Sequence, residues 1–353
     1  MKFSRRVRNG AVAMVILAAL PAASFAQAAP AKKTLLVAAD GSGQFKTVQE
    51  AVDSAPGGNV RIEIKPGEYR QVVSITANEV ELRGLGRAPQ DVVLVFDNSH
   101  TSAGGTGKSA TVTVSGDDFR AENLTLANDF ERRHARTEEG SQAVALHVSG
   151  DREVFRRVRF LGFQDTLYAD SKFCHPAPDA LTSGGGTTTE ATCHASRQYF
   201  VDCYIEGHVD FIFGDAKAVF DRCEIRAMAH PVVTITAQSR LRPGEDSGYL
   251  FRDCNVTAEP GAADILLGRP WRAYSTVVFM NTDFKAALDP KGWMEWGDRL
   301  KTSDYEEFGS KGMAGDVIKR IAPSRQLSAA EAAKLTVKAW LGGTDGWDAE
   351  KVR

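Results

Sequence analysis

Six phenylalanines constrain what this chain can fold into. Phe119, Phe155, Phe200, Phe220, Phe251 and Phe279 are each followed five residues later by an apolar residue: Leu124, Phe160, Ile205, Ile225, Val256 and Phe284. The phenylalanines lie 36, 45, 20, 31 and 28 residues apart, so the unit is constant while its connections vary. A short strand unit recurring with insertions of unequal length predicts an all-β parallel β-helix, with one coil per repeat and the insertions as loops on its flank. A sandwich or propeller would supply similar strands, although propeller blades keep a more even period. An α/β hydrolase is disfavoured, because the chain between Val60 and Phe284 has almost no helical period.

Three cysteines fall in the same frame. Cys203, Cys223 and Cys254 each lie three residues after a repeat phenylalanine. Equivalent positions on successive coils are about 4.8 Å apart, within the Cα range of about 4.4 to 6.8 Å that a disulfide needs. Cys203 can then bridge Cys223, or Cys223 can bridge Cys254, and the shorter connection favours Cys203–Cys223. Cys174 and Cys193 sit near the ends of a Pro-, Gly-, Ser- and Thr-rich stretch, residues 172–197, which reads as an inserted loop that they would staple.

The two ends read differently from the middle. Lys2, Arg5, Arg6 and Arg8 precede an apolar run from Ala11 to Ala23 that is too short to span a membrane. Residues 1–28 are therefore expected to be a secretory leader, and the product to be secreted, into a periplasm or beyond the cell, with no membrane attachment. Losing those four basic residues takes the formal net charge from −2 to about −6, which argues against nucleic acid as a partner. Residues 34–353 read as one catalytic β-helix domain, with a short helix from Thr47 to Ser54 near its start and a helical tail at its end. Ser328 caps that tail, with Glu331 completing a capping box. The tail is expected to pack along the outside of the coil.

Candidate chemistry lies in three motifs. Asp210 precedes a Phe-Ile-Phe-Gly run, where a charge is costly unless paired or employed. GFQDTLY from Gly162 to Tyr168 carries Gln164 and Asp165, and LLGRPW from Leu266 to Trp271 carries Arg269. Two carboxylates, an amide and a guanidinium suffice for nucleophile, acid, base and oxyanion roles. The duller reading is a structural Asp210–Arg269 ion pair. There is no G-x-S-x-G, H-E-x-x-H or C-x-x-C, so serine esterase and zinc chemistry lack their signatures and no metal or cofactor is expected.

With DGSGQFKTVQEAV, GEYRQ and QAVAL (Gln142 to Leu146) added in order, the set resembles the pectin methylesterases, over about Leu35 to Ala314. The resemblance implies a right-handed coil and a substrate, methyl-esterified homogalacturonan, handled by a monomer. It makes Asp210 the nucleophile and Asp165 the general acid and base, with Arg269 holding Asp210 ionised and Gln142 and Gln164 donating to the oxyanion. Trp271, Trp293 and Tyr168 match cleft aromatics that stack on sugar, with the core as the alternative for the tryptophans. His208 stands where the family commonly has a Thr-like residue and reads as a surface or turn residue. Gln71 replaces the usual Glu in GEYRQ. Three rivals remain: a pectate lyase on the same fold, a noncatalytic polysaccharide-binding β-helix, and a relative that cleaves another ester or a thioester.

Overall fold

The structure is a computed structural model that describes residues 1, 32–134, 140–172 and 193–352, without the side chains of Cys193 and His194. The expected leader, Met1 apart, lies outside these residues, as do most of the inserted loop and the proposed Cys174–Cys193 pair. Strands from Lys33 onward stack in parallel, coil upon coil. One sheet runs Val73–Ile75, Val112–Val114, Leu146–Val148, Leu167–Ala169, Val209–Gly214, Val233–Gln238 and Ile265–Gly268. A second, larger sheet bends into the other faces. Two nine-residue strands, Arg120–Asn128 and Glu153–Leu161, run around its corner and join the two faces.

That corner explains the five-residue period. In a continuous strand, residues five apart point to opposite faces. Here a left-handed residue intervenes in every repeat: Asn123, Arg157, Asp202, Arg222, Asp253 and Asn281 all have φ between 50° and 57°. This kink resets the alternation, so the phenylalanine before it and the apolar residue after it both point inward. Short polar side chains tolerate this backbone best, which accounts for the Asn and Asp at four of the six corners.

The register follows the repeat in five of the six units. Phe155, Phe200, Phe220, Phe251 and Phe279 are paired in succession, and their rings stack at 4.3 to 4.8 Å between centroids. Phe160, Ile205, Ile225, Val256 and Phe284 form the matching column. The first unit is displaced: Phe155 pairs with Ala121 and Phe160 with Leu126, so Phe119 lies two residues ahead of the column. Ala121 and Leu126 are also five apart, but alanine gave no aromatic signal.

The cysteines occupy equivalent positions as expected, yet Cys203, Cys223 and Cys254 are free, buried thiols, which corrects the Cys203–Cys223 bridge. Each thiol instead donates to a backbone carbonyl of the preceding coil, Phe155, Phe200 and Phe220 respectively, at 3.3 to 3.4 Å. The Cα criterion was not sufficient. A disulfide brings Cβ atoms to about 3.8 Å, and in-register parallel strands hold stacked side chains a full strand spacing apart.

At the N-terminal end, helix Val48–Asp53 carries the Thr47–Glu50 capping box and buries Val48, Ala51 and Val52 in the coil core. The tail is not one helix but two short ones, Ala329–Ala332 and Val337–Leu341, because Thr336 starts a new cap. Its apolar residues cover the outer side of the strands at Val154, Tyr199, Val201, Val219 and Leu250. Arg197 fastens it, bonding Asp151 at 2.7 Å and Asp345 at 2.6 Å. Arg197 thus belongs to the coil strand Arg197–Val201 and not to the inserted loop.

Truncating the middle of the ring stack should be costly: Phe220→Ala is expected to lower stability by about 3–5 kcal/mol, read as a fall in the urea midpoint. Alkylation of the denatured, unreduced protein should label Cys203, Cys223 and Cys254; a cross-linked Cys203–Cys223 peptide would count against the thiol ladder.

Candidate active site

Asp165 and Asp210 come together by the same device that shapes the coil. Leu167 pairs with Ile212, so the residues two before each, Asp165 and Asp210, hold equivalent places on consecutive coils. Both are left-handed, with φ of 64° and 53°. The ladder next to Asp210 is bulged: Val209 pairs with Thr234 and Ile212 with Thr236, three steps on one strand against two on the other. An extra residue re-aims a side chain without breaking the sheet. Phe211 and Ile212 can therefore both enter the core while Asp210 lines the cleft.

Each carboxylate has a different set of neighbours. Asp210 receives Arg269 Nε on Oδ1 at 2.9 Å and Nη2 on Oδ2 at 2.7 Å, the planar fork that a guanidinium offers a carboxylate. Thr234 Oγ1 donates to Oδ1 at 2.7 Å and accepts from the Asp210 N–H at 2.9 Å. Arg269 lies over the ring of Trp296, 4.3 Å from its centroid, so the guanidinium is held from both sides. Burial pushes the Asp165 carboxyl well above the ordinary carboxylate range, the Asp210 charge pushes it further, and Arg269 opposes both. Asp165 is thus set up to hold its proton beside an ion-paired neighbour.

The cleft around them measures about 400 Å³, with Gln142, Gln164, Tyr168 and Trp271 on its walls. Ser141 Oγ donates to Gln164 Oε1 at 3.3 Å, which ties down the amide oxygen and leaves the NH₂ group for the cleft. Gln142 Oε1 is buried without a protein donor, an arrangement that ordinary packing avoids. The apolar floor, Val144, Phe213 and Ala237 with Tyr168 and Trp271 against it, lowers the local dielectric and so raises the cost of ionising Asp165. Tyr168 is stacked between His147 and Phe213, each 4.3 Å away.

Trp293 is a correction. It is fully buried in the coil core, stacked on Tyr305 at 4.2 Å, and cannot meet a ligand. The cleft aromatic in its place is Trp296, three residues on, whose indole both walls the site and supports Arg269. His208 is the second correction: it is buried, 1% exposed, and does not lie at the surface. Thr234 was missed altogether, because its role follows from coil register and not from any motif.

Comparison with known proteins bears on the family and the fold. A family model described as Pectinesterase matches residues 34–175 and 188–344, leaving unmatched a stretch inside the expected inserted loop. The chain belongs to the pectinesterase family. It is 36% identical over 333 residues, 90% of this chain, to "Probable pectinesterase/pectinesterase inhibitor 17" of Arabidopsis thaliana. It is 35% identical over 312 residues to "Pectinesterase 31" of the same plant, covering 84% of this chain and 88% of the relative. The chain spans 58% of the first of these two and 41% of another such relative, "Putative pectinesterase/pectinesterase inhibitor 28", so it corresponds to about half their length. Among solved structures, "Pectin methylesterase from Carrot" superposes with a TM-score of 0.77 at 27% identity, covering 93% of this chain and 98% of its own. "Pectin methylesterase PemA from Erwinia chrysanthemi" gives 0.69 at 27% identity, covering 91% and 99%.

A raised carboxyl pKa has a sign that stability measurements can read. If Asp165 keeps its proton when folded but ionises when unfolded, folding loses stability as pH rises from about 4, the ordinary Asp value. Asp165→Asn should therefore raise the melting temperature at pH 7, while leaving it unchanged near pH 3, where both states are protonated. The same variant should lose more than about 100-fold in turnover.

Proposed function

We propose that this protein hydrolyses the methyl esters of galacturonate residues in pectin, releasing methanol, through an aspartyl acyl-enzyme. The observation that carries the reading is the unequal pair of carboxylates on consecutive coils: Asp210 forked by Arg269, and Asp165 buried, with its carboxyl pushed well above the ordinary range. An Asp210 oxygen attacks the ester carbonyl carbon, and the carbonyl oxygen gathers negative charge between the amide groups of Gln142 and Gln164. Each such donor contributes on the order of 3 kcal/mol in related acyl transfers. Collapse breaks the carbon–methoxy bond, and the Asp165 proton goes to the leaving oxygen as methanol departs. Asp165, now ionised, takes a proton from water, the hydroxide adds to the acyl carbon, and Asp210 leaves as carboxylate. The product forms as the carboxylic acid, which gives its proton to solvent to become the carboxylate, and Asp165 is protonated again.

Trp271 and Trp296 line the cleft where sugar rings would lie, and Trp271 and the half-buried Tyr168 both pack against its apolar floor. A solved relative at 28% identity is described as a "pectin methylesterase in complex with hexasaccharide VII", a ligand compatible with this cleft. Secretion through the leader would bring a monomeric enzyme to the polymer. Among the described residues no helix is long and apolar enough to cross a membrane. The lyase rival fits poorly, since one of the two cleft carboxylates is already engaged by a guanidinium and so offers little to a calcium ion.

Methanol release from methyl-esterified pectin tests the reading. Asp210→Ala should abolish it, and activity above about 1% of wild type would remove Asp210 as nucleophile. Arg269→Lys should impair turnover despite keeping the charge. Trp296→Ala should raise KM in a protein that still folds, whereas Trp293→Ala should lower stability by about 3–5 kcal/mol. Activity that a chelator removes, with unsaturated product and no methanol, would favour the lyase.

A further inference from the structure

His208 is a buried histidine next to the nucleophile segment whose two ring nitrogens are both engaged. Nε2 lies 3.0 and 3.1 Å from the Glu131 carboxylate oxygens, and Nδ1 accepts the backbone N–H of Val209 at 2.8 Å. A nitrogen that accepts carries no hydrogen, so the ring is the neutral Nε2–H tautomer, donating to Glu131. Val209 joins two peptide groups. Its N–H, held by the His208 ring, belongs to the first; its carbonyl, which accepts the Asp165 N–H at 3.1 Å, belongs to the second, whose nitrogen is that of Asp210. The Val209–Asp210 peptide thus touches both catalytic aspartates, at the start of the bulge that aims Asp210, and the ring fixes the peptide immediately before it. His208 is itself tied at both ends: its N–H donates to Phe163 O at 3.0 Å and its carbonyl accepts Thr234 N–H at 2.9 Å.

We propose that His208 is a positioning residue for the aspartate pair, fixing Val209 through the N–H that its unprotonated Nδ1 accepts and so orienting the Val209–Asp210 peptide that follows. The proposal rests on the roles given above to Asp210 and Asp165. Protonation puts a hydrogen on Nδ1 facing the Val209 N–H, two donors in contact, and the contact must open. Charged and titratable groups face the ring from several elements. Glu131, on helix Phe130–Arg133, meets Nε2. His230 stacks on the ring at 4.6 Å between centroids, and Arg132 lies over Phe163 at 5.5 Å and is paired with Glu206 at 3.2 Å. The expected result is an acid-side loss of turnover in addition to any from the aspartates themselves, with substrate binding unaffected because His208 lines no part of the cleft.

The test measures kcat and KM for methanol release across pH in wild type, His208→Leu, His208→Asn and Asp210→Ala, with folding checked by circular dichroism. Asn places Oδ1 where Nδ1 stood, an acceptor that does not titrate. His208→Leu should lower kcat roughly 10- to 100-fold with KM unchanged, the scale of a misplaced catalytic group. His208→Asn should recover most of kcat at neutral pH and remain active to lower pH than wild type. A folded His208→Leu with wild-type kcat overturns the proposal, as does a His208→Asn acid limb that superimposes on the wild-type limb. Should the leucine variant not fold, the asparagine limb alone decides. Full activity in Asp210→Ala would instead remove the assignment of the nucleophile.

Discussion

A column of left-handed residues at one corner of the coil is the constraint on which this structure depends. Without Asn123, Arg157, Asp202, Arg222, Asp253 and Asn281 in that conformation, the phenylalanines and their partners five residues later would face opposite sides of a flat strand. With it, one short unit fills two walls of the core, and the stack of rings from Phe155 to Phe279 becomes continuous. Each coil then needs only its neighbours, as in other stacked repeats. Loops of any length can leave the flank because the corner fixes the geometry locally.

The face that carries the cleft reuses that device for a different end. Asp165 and Asp210 are left-handed too, but here the turned residue points its side chain into a cleft instead of forming a corner. Stacked register sets the pair about one strand spacing apart, a separation that sheet hydrogen bonding enforces without any contact between the side chains. Thr234 and Arg269, contributed by the next two strands of the same sheet or their ends, complete the surroundings of Asp210. Gly268, immediately before Arg269, has no room for a side chain, since a Cβ there would run into Thr236. The glycine in LGRPW therefore serves the close packing that places the guanidinium.

Much of this was legible in the chain, and the failures share a cause. The constant offset of five reported the coil, and the motif order reported Asp210, Asp165, Arg269, Gln142 and Gln164, all of which line one cleft. What the sequence did not reveal was direction. Trp293 and Trp296 are two indoles three residues apart in an irregular segment, and nothing local says which turns inward. Cys203 and Cys223 were correctly paired in register but judged on Cα distance alone, whereas bridging depends on Cβ approach. His208 looked like a turn residue because the ring's burial comes from Glu131, His230 and Phe163, which are distant in sequence. Phe119 misled by its ring, while the true column position, Ala121, had nothing to recognise.

The electrostatics of the pair follow from this stacking. At an effective dielectric constant of about 20, two charges a strand spacing apart repel by roughly 3–4 kcal/mol, so two adjacent coils cannot cheaply present two ionised carboxylates. Left alone, equivalent aspartates would share one proton without preference. Arg269 breaks the tie by forking only Asp210, and burial beside the apolar floor of Val144, Phe213 and Ala237 disfavours charge on Asp165. The two carboxylates are thereby distinguished by what the neighbouring strands contribute and not by their own chemistry, which is identical. Repetition supplies the spacing and departures from repetition supply the roles. The bulge at Asp210, the Arg269 guanidinium and the indole of Trp296 are departures from a structure otherwise built by copying.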